Sequence, residues 1–325
     1  MKMLDELRRR DQLLTWMEQG LLTRPQLEQA LAPQLPQPSG RDWRQALDRL
    51  LALYGSLLLA LGVIFFFAFN WDELHRFAKL ALALGALTGF AGAALLLPAG
   101  AVLYRAVLLG AALSTGGLLA LVGQTYQTGA DIWQLFAVWA VLMLPWVLLS
   151  RSRACWALFW VVSNLALLRY FAVHAGWFGT LLASAQALLG VAVLNLLLLL
   201  VFELFAARLL LHPGRSMPRL AGFALLSALA LGGCIAWWES GYADLLWGAA
   251  VAWLVGIPLY RWWREDLLLL ALLLYSLVGV LTAGLARLVD NLDGFALFNL
   301  LGLFLLLSSA LASVWLHRVH REGDA

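Results

Sequence analysis

Charge is scarce in this 325-residue chain: 13% of residues are charged and 63% are hydrophobic. A soluble domain carries about 25% charged and about 45–50% apolar residues. No soluble fold of this length could hide so much apolar area from water, so the excess must face lipid. Cysteine is nearly absent. Cys155 and Cys234 both sit inside apolar runs, with no Cys-x-x-Cys pattern, which excludes a disulfide framework and a cysteine-built zinc site. Carboxylates at mid-depth, the mark of proton relays and intramembrane cation sites, are also missing. Glu203 falls about 25 residues into a long apolar run and reaches its end, and Asp244 stands at another run's boundary. Gly-rich phosphate loops, Ser/His/Asp arrangements and spaced carboxylate pairs are absent. The sequence therefore offers no catalytic residue, no cofactor site and no metal site. His317 and His320 share a helix face but have no third ligand, and read as a solvated tail. The net charge of +3 is not spread as a basic stripe with interleaved aromatics, so no nucleic-acid partner is expected. No cleavable signal peptide is expected, because the first apolar run starts only near Leu50.

What is present is a series of long apolar runs. A spanning helix needs about 20 mostly apolar residues. Ten candidates follow: Leu50–Phe69, Phe77–Leu97, Tyr104–Val122, Ile132–Leu149, Cys155–Val173, Phe178–Val201, Leu220–Trp238, Ala243–Tyr260, Leu267–Leu285 and Phe295–Leu316. Gly123 to Asp131 reads either as a loop or as a segment dipping back into the membrane. The fold class is thus all-α: a polytopic bundle of about ten spans over residues 41–325, preceded in residues 1–40 by a short helical hairpin and a Pro-rich linker. In the hairpin, Thr23 and Gln26 have capping-box spacing around Pro25. Pro33 to Gly40 reads as extended linker.

Lys and Arg set the expected orientation. With the N-terminus inside, the tail holds Lys2, Arg8, Arg9, Arg10, Arg24, Arg41, Arg44 and Arg49. The other inner segments hold Arg105, Arg151, Arg153, Arg208, Arg215, Arg219, Arg261, Arg264, Arg318 and Arg321, against Arg76, Lys79, Arg169 and Arg287 outside. That is 18 against 4, and it places both termini in the cytoplasm of a bacterium, with the bundle in the inner membrane. Trp71, Trp133, Trp156, Trp177, Trp237, Trp238, Trp262, Trp263 and Trp315 stand near span ends and read as headgroup-level anchors.

Phe69-Asn70-Trp71 and the stretch Gly123-Gln124-Thr125-Tyr126-Gln127-Thr128-Gly129-Ala130-Asp131, followed by Trp139-Ala140 and Leu144-Pro145, resemble a bacterial family of predicted membrane proteins, domain of unknown function 2157. The Gly-Leu-Leu-Thr turn of the hairpin resembles that family's start. Gln127 stands where the family commonly has His. The resemblance covers about Leu13 to Ser150 and implies a membrane location.

Two groups of polar residues stand out. Asn70, Gln124, Tyr126, Gln127, Asp131 and Arg169 all fall at outer span ends. They form either a small ligand cleft or a set of helix caps, with Arg169 pairing to Asp131. Asn164 and Gln186 fall at equal depth on consecutive spans, and an amide in hydrocarbon needs a partner; they are expected to face the interior and bond each other, directly or through one polar neighbour. Small residues recur at Ala81, Gly85, Gly89 and Ala93, and at Ala112, Gly116 and Ala120, as packing stripes toward the bundle or another subunit. Besides the lipid bilayer, the expected partner is a second membrane protein or another copy of the chain. Three function classes remain: a non-catalytic component or partner subunit, a transporter or channel for a small solute, and an enzyme acting on lipids or lipid-linked sugars. Short loops and missing deep charges favour the first.

Overall fold

The computed structural model describes residues 74–126, 129–174, 184–291 and 293–323, with isolated positions between 13 and 47. The chain divides into two units, Met1–Leu74 and His75–Ala325. In the first, the Thr23 amide and hydroxyl both donate to Gln26 Oε1, at 2.9 and 2.8 Å. This is the Gln arm of the expected capping box. Most of the expected linker and the expected first span, Leu50–Phe69, lie outside the described residues; Gly40 is helical.

The second unit is a bundle of nine described helices: α1 (Arg76–Leu96), α2 (Val102–Tyr126), α3 (Ile132–Ser150), α4 (Arg153–His174), α5 (Ala185–Leu209), α6 (Ser216–Ile235), α7 (Ala243–Pro258), α8 (Leu267–Leu288) and α9 (Gly294–Gly323). All nine, α7 with its flanking short turns, are long and apolar enough to cross a membrane. They coincide with nine of the ten expected spans, and no strand occurs among the described residues. The chain is a multi-pass membrane protein. Each helix packs on the next, and the links are short, so neighbours run antiparallel. The bundle therefore has two ends. One gathers the α1/α2, α3/α4, α5/α6 and α7/α8 links and the C-terminus of α9, and is called here the arginine-rich end.

α6 is the central helix, packing on α4, α5, α7 and α8. It can do so because its surface is small: a Cβ on Gly222 would lie 2.4 Å from Leu269, and one on Gly232 2.4 Å from Leu245. α1 and α9 form the edges, packed on α2 and α8. Their outer faces expose residues such as Leu84, Phe298 and Leu306, as lipid requires.

Two tryptophans near span ends also tie helices together. Trp156 Nε1 donates to the Leu209 carbonyl (3.2 Å), and Trp237 Nε1 to the Val280 carbonyl (3.1 Å). Trp139 does the same deeper in the bundle, donating to the Ala112 carbonyl at 2.8 Å. A Cβ on Gly116 would sit 2.3 Å from the Trp139 ring, so the α2 stripe of small residues is a seat for an indole within the bundle. Among the described residues the α1 stripe has no such neighbour: Gly85 and Gly89 have nothing within 4 Å of an added Cβ.

Candidate functional site

The expected outer cluster is only partly described. Asn70 and Gln127 lie outside the described residues. α2 runs four residues past its expected end, so Gln124 and Tyr126 project exposed from its last turn and are not loop residues. Asp131 is exposed at the N-cap of α3 without a side-chain cap bond. Arg169 is exposed on α4. Among the described residues no hydrogen bond or ion pair joins any two of these, and the expected Asp131–Arg169 pair is not made.

At mid-depth the structure corrects the expected amide pair. Asn164 is buried, but its partner is Asn195, whose Nδ2 donates to Asn164 Oδ1 at 2.8 Å. Gln186 is exposed. The reason is helical phase. α5 starts at Ala185, seven residues later than expected, so Gln186 stands in its first turn while Asn195, about 13.5 Å further along the axis, meets α4 at the depth of Asn164. The network is closed. Trp160 Nε1 donates to Asn195 Oδ1 (2.7 Å), Asn195 Nδ2 also reaches the Val191 carbonyl (2.9 Å), and Asn164 Nδ2 donates to the Trp160 carbonyl (2.9 Å). Asn195 has no solvent exposure.

The densest chemistry lies at the arginine-rich end, where two carboxylates are enclosed: the Asp266 side chain is 0% exposed and that of Glu203 is 9% exposed. Asp266 is the N-cap of α8 and accepts from the amides of Leu268 (3.1 Å) and Leu269 (3.3 Å) through Oδ1. Asp before an apolar run is a favoured cap. Arg215 Nε donates to its Oδ2 at 2.8 Å, and Arg219 Nε to both its oxygens at 3.0–3.1 Å. Burial pushes the Asp266 carboxyl up, but the bonds from Arg219, Arg215 and the Leu269 amide outweigh it and hold the group below its ordinary range. Burial lowers Arg215 in the same way, and its bonds to Glu203 and Asp266 raise it overall. Glu203, in the penultimate turn of α5, accepts from Arg215 Nη1 (2.8 Å) and from the Tyr260 hydroxyl (3.1 Å). Arg264 stands 3.8 Å away and also donates to the Glu203 backbone carbonyl at 3.2 Å.

Tyr260 is delivered by a single π turn, Leu259–Trp263, that follows Pro258. The chain widens by a residue there, turning Tyr260 inward beneath the Arg215 guanidinium, 5.7 Å from the ring centroid. Such π insertions occur frequently at functional sites. A second knot adjoins the cluster. The α3/α4 turn holds the α5/α6 link through Leu211 N to the Arg151 carbonyl (2.9 Å), Arg151 Nη2 to the Ala207 carbonyl (2.7 Å), and Arg153 Nη2 to the His212 carbonyl (3.0 Å). The Arg151 guanidinium satisfies a carbonyl that helix α5 leaves open at its C-terminus, and that of Arg153 holds the link beyond it. Together the two knots join α3 through α8 at one end.

Sequence reading placed Glu203 at a span end but gave it no partner, and it left Asp266 unremarked. The Asp-before-Leu cap was a visible signal. The guanidiniums that enclose it lie 47 and 51 residues away in sequence, which no spacing rule reports. His317 and His320 are exposed on the last turns of α9, and among the described residues no three His, Cys, Asp or Glu side chains converge to hold a metal ion.

Residues 14–156 match the model of a family described as "Predicted membrane protein (DUF2157)". The match ends in the first turn of α4, before the ion cluster begins. No curated protein and no solved structure matches the chain.

Proposed function

We propose that the protein is a non-catalytic component of the bacterial inner membrane, a partner or assembly subunit, with its arginine-rich end and both termini in the cytoplasm. One observation carries this reading: among the described residues the two most enclosed carboxylates are engaged by neighbouring elements, Asp266 by two guanidiniums and two backbone amides and Glu203 by the Arg215 guanidinium and the Tyr260 hydroxyl. A general acid, a base or a cation ligand needs a free lone pair or a transferable proton. Glu203 and Asp266 serve as a clamp on α5, α6, α7 and α8. A carrier for a small solute would use polar groups at mid-depth; Asn164 and Asn195 lie there, but they bond each other and Trp160.

A partner role is supported by the open small-residue stripe of α1. Among the described residues nothing lies within 4 Å of a Cβ on Gly85 or Gly89, and such a surface allows another helix a close backbone approach. Affinity purification in mild detergent tests this. A stoichiometric membrane protein, or a second copy of the chain, should co-purify and be lost with Gly85→Leu/Gly89→Leu. A monomer that carries stoichiometric lipid-linked sugar would contradict the reading and favour an enzyme.

A further inference from the structure

The clamp contains more cation than it uses. Among the described residues the carboxylates that pair with Arg215, Arg219 and Arg264 are Glu203 and Asp266. Arg153, whose guanidinium lies against Gly214 at 3.0 Å from where a Cβ would be, donates to a carbonyl and to no carboxylate. Four guanidiniums around one link thus meet two carboxylates. Their donors are not exhausted either. Each guanidinium carries five N–H groups. Both bonds from Arg219 to Asp266 start from Nε, and Arg215 Nη2 is buried with no hydrogen-bond partner among the described residues. A buried donor without an acceptor costs stability, and a phosphate oxygen, with its charge and several lone pairs, is the acceptor guanidiniums match best.

The level of the cluster in the membrane points to the source of that phosphate. Trp262 and Trp263, in the same π turn as Tyr260, are 68% and 84% exposed, and amphipathic indoles settle at the headgroup layer. Arg219 and Arg264 are 43% and 51% exposed at the side chain, so the surplus guanidiniums open at the depth of lipid phosphates. Over the described residues this end carries ten arginines against the four carboxylates Glu203, Glu265, Asp266 and Glu322, whereas the other end holds four basic residues and five acidic ones. Basic pockets between helices on the cytoplasmic side are where anionic headgroups bind.

We propose that the rim formed by Arg153, Arg215, Arg219 and Arg264 around the α5/α6 link binds the phosphate of an anionic phospholipid headgroup. The choice of leaflet rests on the orientation given under Proposed function; the binding does not, and a measurement in detergent is blind to orientation.

The test uses the full chain, delipidated in non-ionic detergent, with thermal unfolding followed as lipid is added. Phosphatidylglycerol should raise the midpoint, more weakly as salt is raised, and phosphatidylcholine at equal mole fraction should not. Arg153→Gln should raise the phosphatidylglycerol needed for half the shift by about tenfold, the equivalent of about 1.4 kcal/mol. Arg287→Gln, at the opposite end, should leave it unchanged. If Arg153→Gln does not fold, Arg153→Lys keeps the charge but not the forked donors and should show a weakened response. Equal shifts with the two lipids, or an unaltered response in the Arg153 variants, would overturn the proposal. Inorganic phosphate that matches phosphatidylglycerol at equal concentration would overturn the lipid as source and assign the rim to soluble phosphate.

Discussion

A carboxylate cut off from water survives only if fixed positive charge and donors replace its hydration. Asp266 meets that condition with two guanidiniums and two backbone amides. Asp266→Asn should lower stability by about 3 kcal/mol, the low end for breaking a buried pair, because both arginines keep some contact with water; chemical or thermal unfolding in detergent reads it. The pH dependence follows from the lowered carboxyl. The folded state binds this proton less readily than the unfolded one. The stabilisation is therefore fully present above the unfolded value, about pH 3.9, and is lost as pH falls from there through the lower folded-state value. Wild-type midpoints should drop below about pH 4, with a shallower drop in Asp266→Asn. At mid-depth, Asn195→Leu would strand Trp160 Nε1 and Asn164 Oδ1 in hydrocarbon and should cost about 1–3 kcal/mol. Gln186→Leu, on an exposed position, should cost nothing measurable. The sequence made the need for an amide partner at Asn164 legible, because an amide in lipid must bond. Which amide supplied it depended on where α5 begins.

Helix ends and helix contacts obey different rules. Hydropathy placed nine of the spans, because lipid-facing length is a property of one segment alone. It ended α5 at Val201, whereas the helix continues to Leu209, carrying Glu203 into the clamp. That extension is stable because residues of other elements satisfy the carboxylate, a condition absent from any local window. Tryptophans divide in the same way. Trp262 and Trp263 are exposed as anchors should be, while Trp139 and Trp237 are seated on Gly116 and Gly284 of neighbouring helices. Gly116→Ala would place a Cβ 2.3 Å from the Trp139 ring, forcing the indole off its seat and its bond. A loss of about 1–3 kcal/mol is expected, as for other overpacked sites. Gly117→Ala, with open space around it, should be neutral or slightly stabilising. Side-by-side thermal unfolding of the two variants distinguishes a seat for an indole from a general intolerance of bulk along α2.

For the whole molecule, the bundle is asymmetric along its axis. One end is knotted by ion pairs and guanidinium–carbonyl bonds across α3 to α8. The other carries exposed, separately solvated residues such as Gln124, Asp131 and Arg169. The concentration of loop arginines at one end was legible beforehand, since a charge count needs no tertiary information. The pairing within the clamp did not show in the sequence, because its partners come from separate elements. The orientation of that end is the claim on which the cytoplasmic assignment depends, and alkaline-phosphatase fusions measure it directly. Fusions after Gly129 and Ser240 should be enzymatically active, and fusions after Arg151, Arg215 and Arg264 should be inactive. Activity at Arg215, within the clamp itself, would contradict the account.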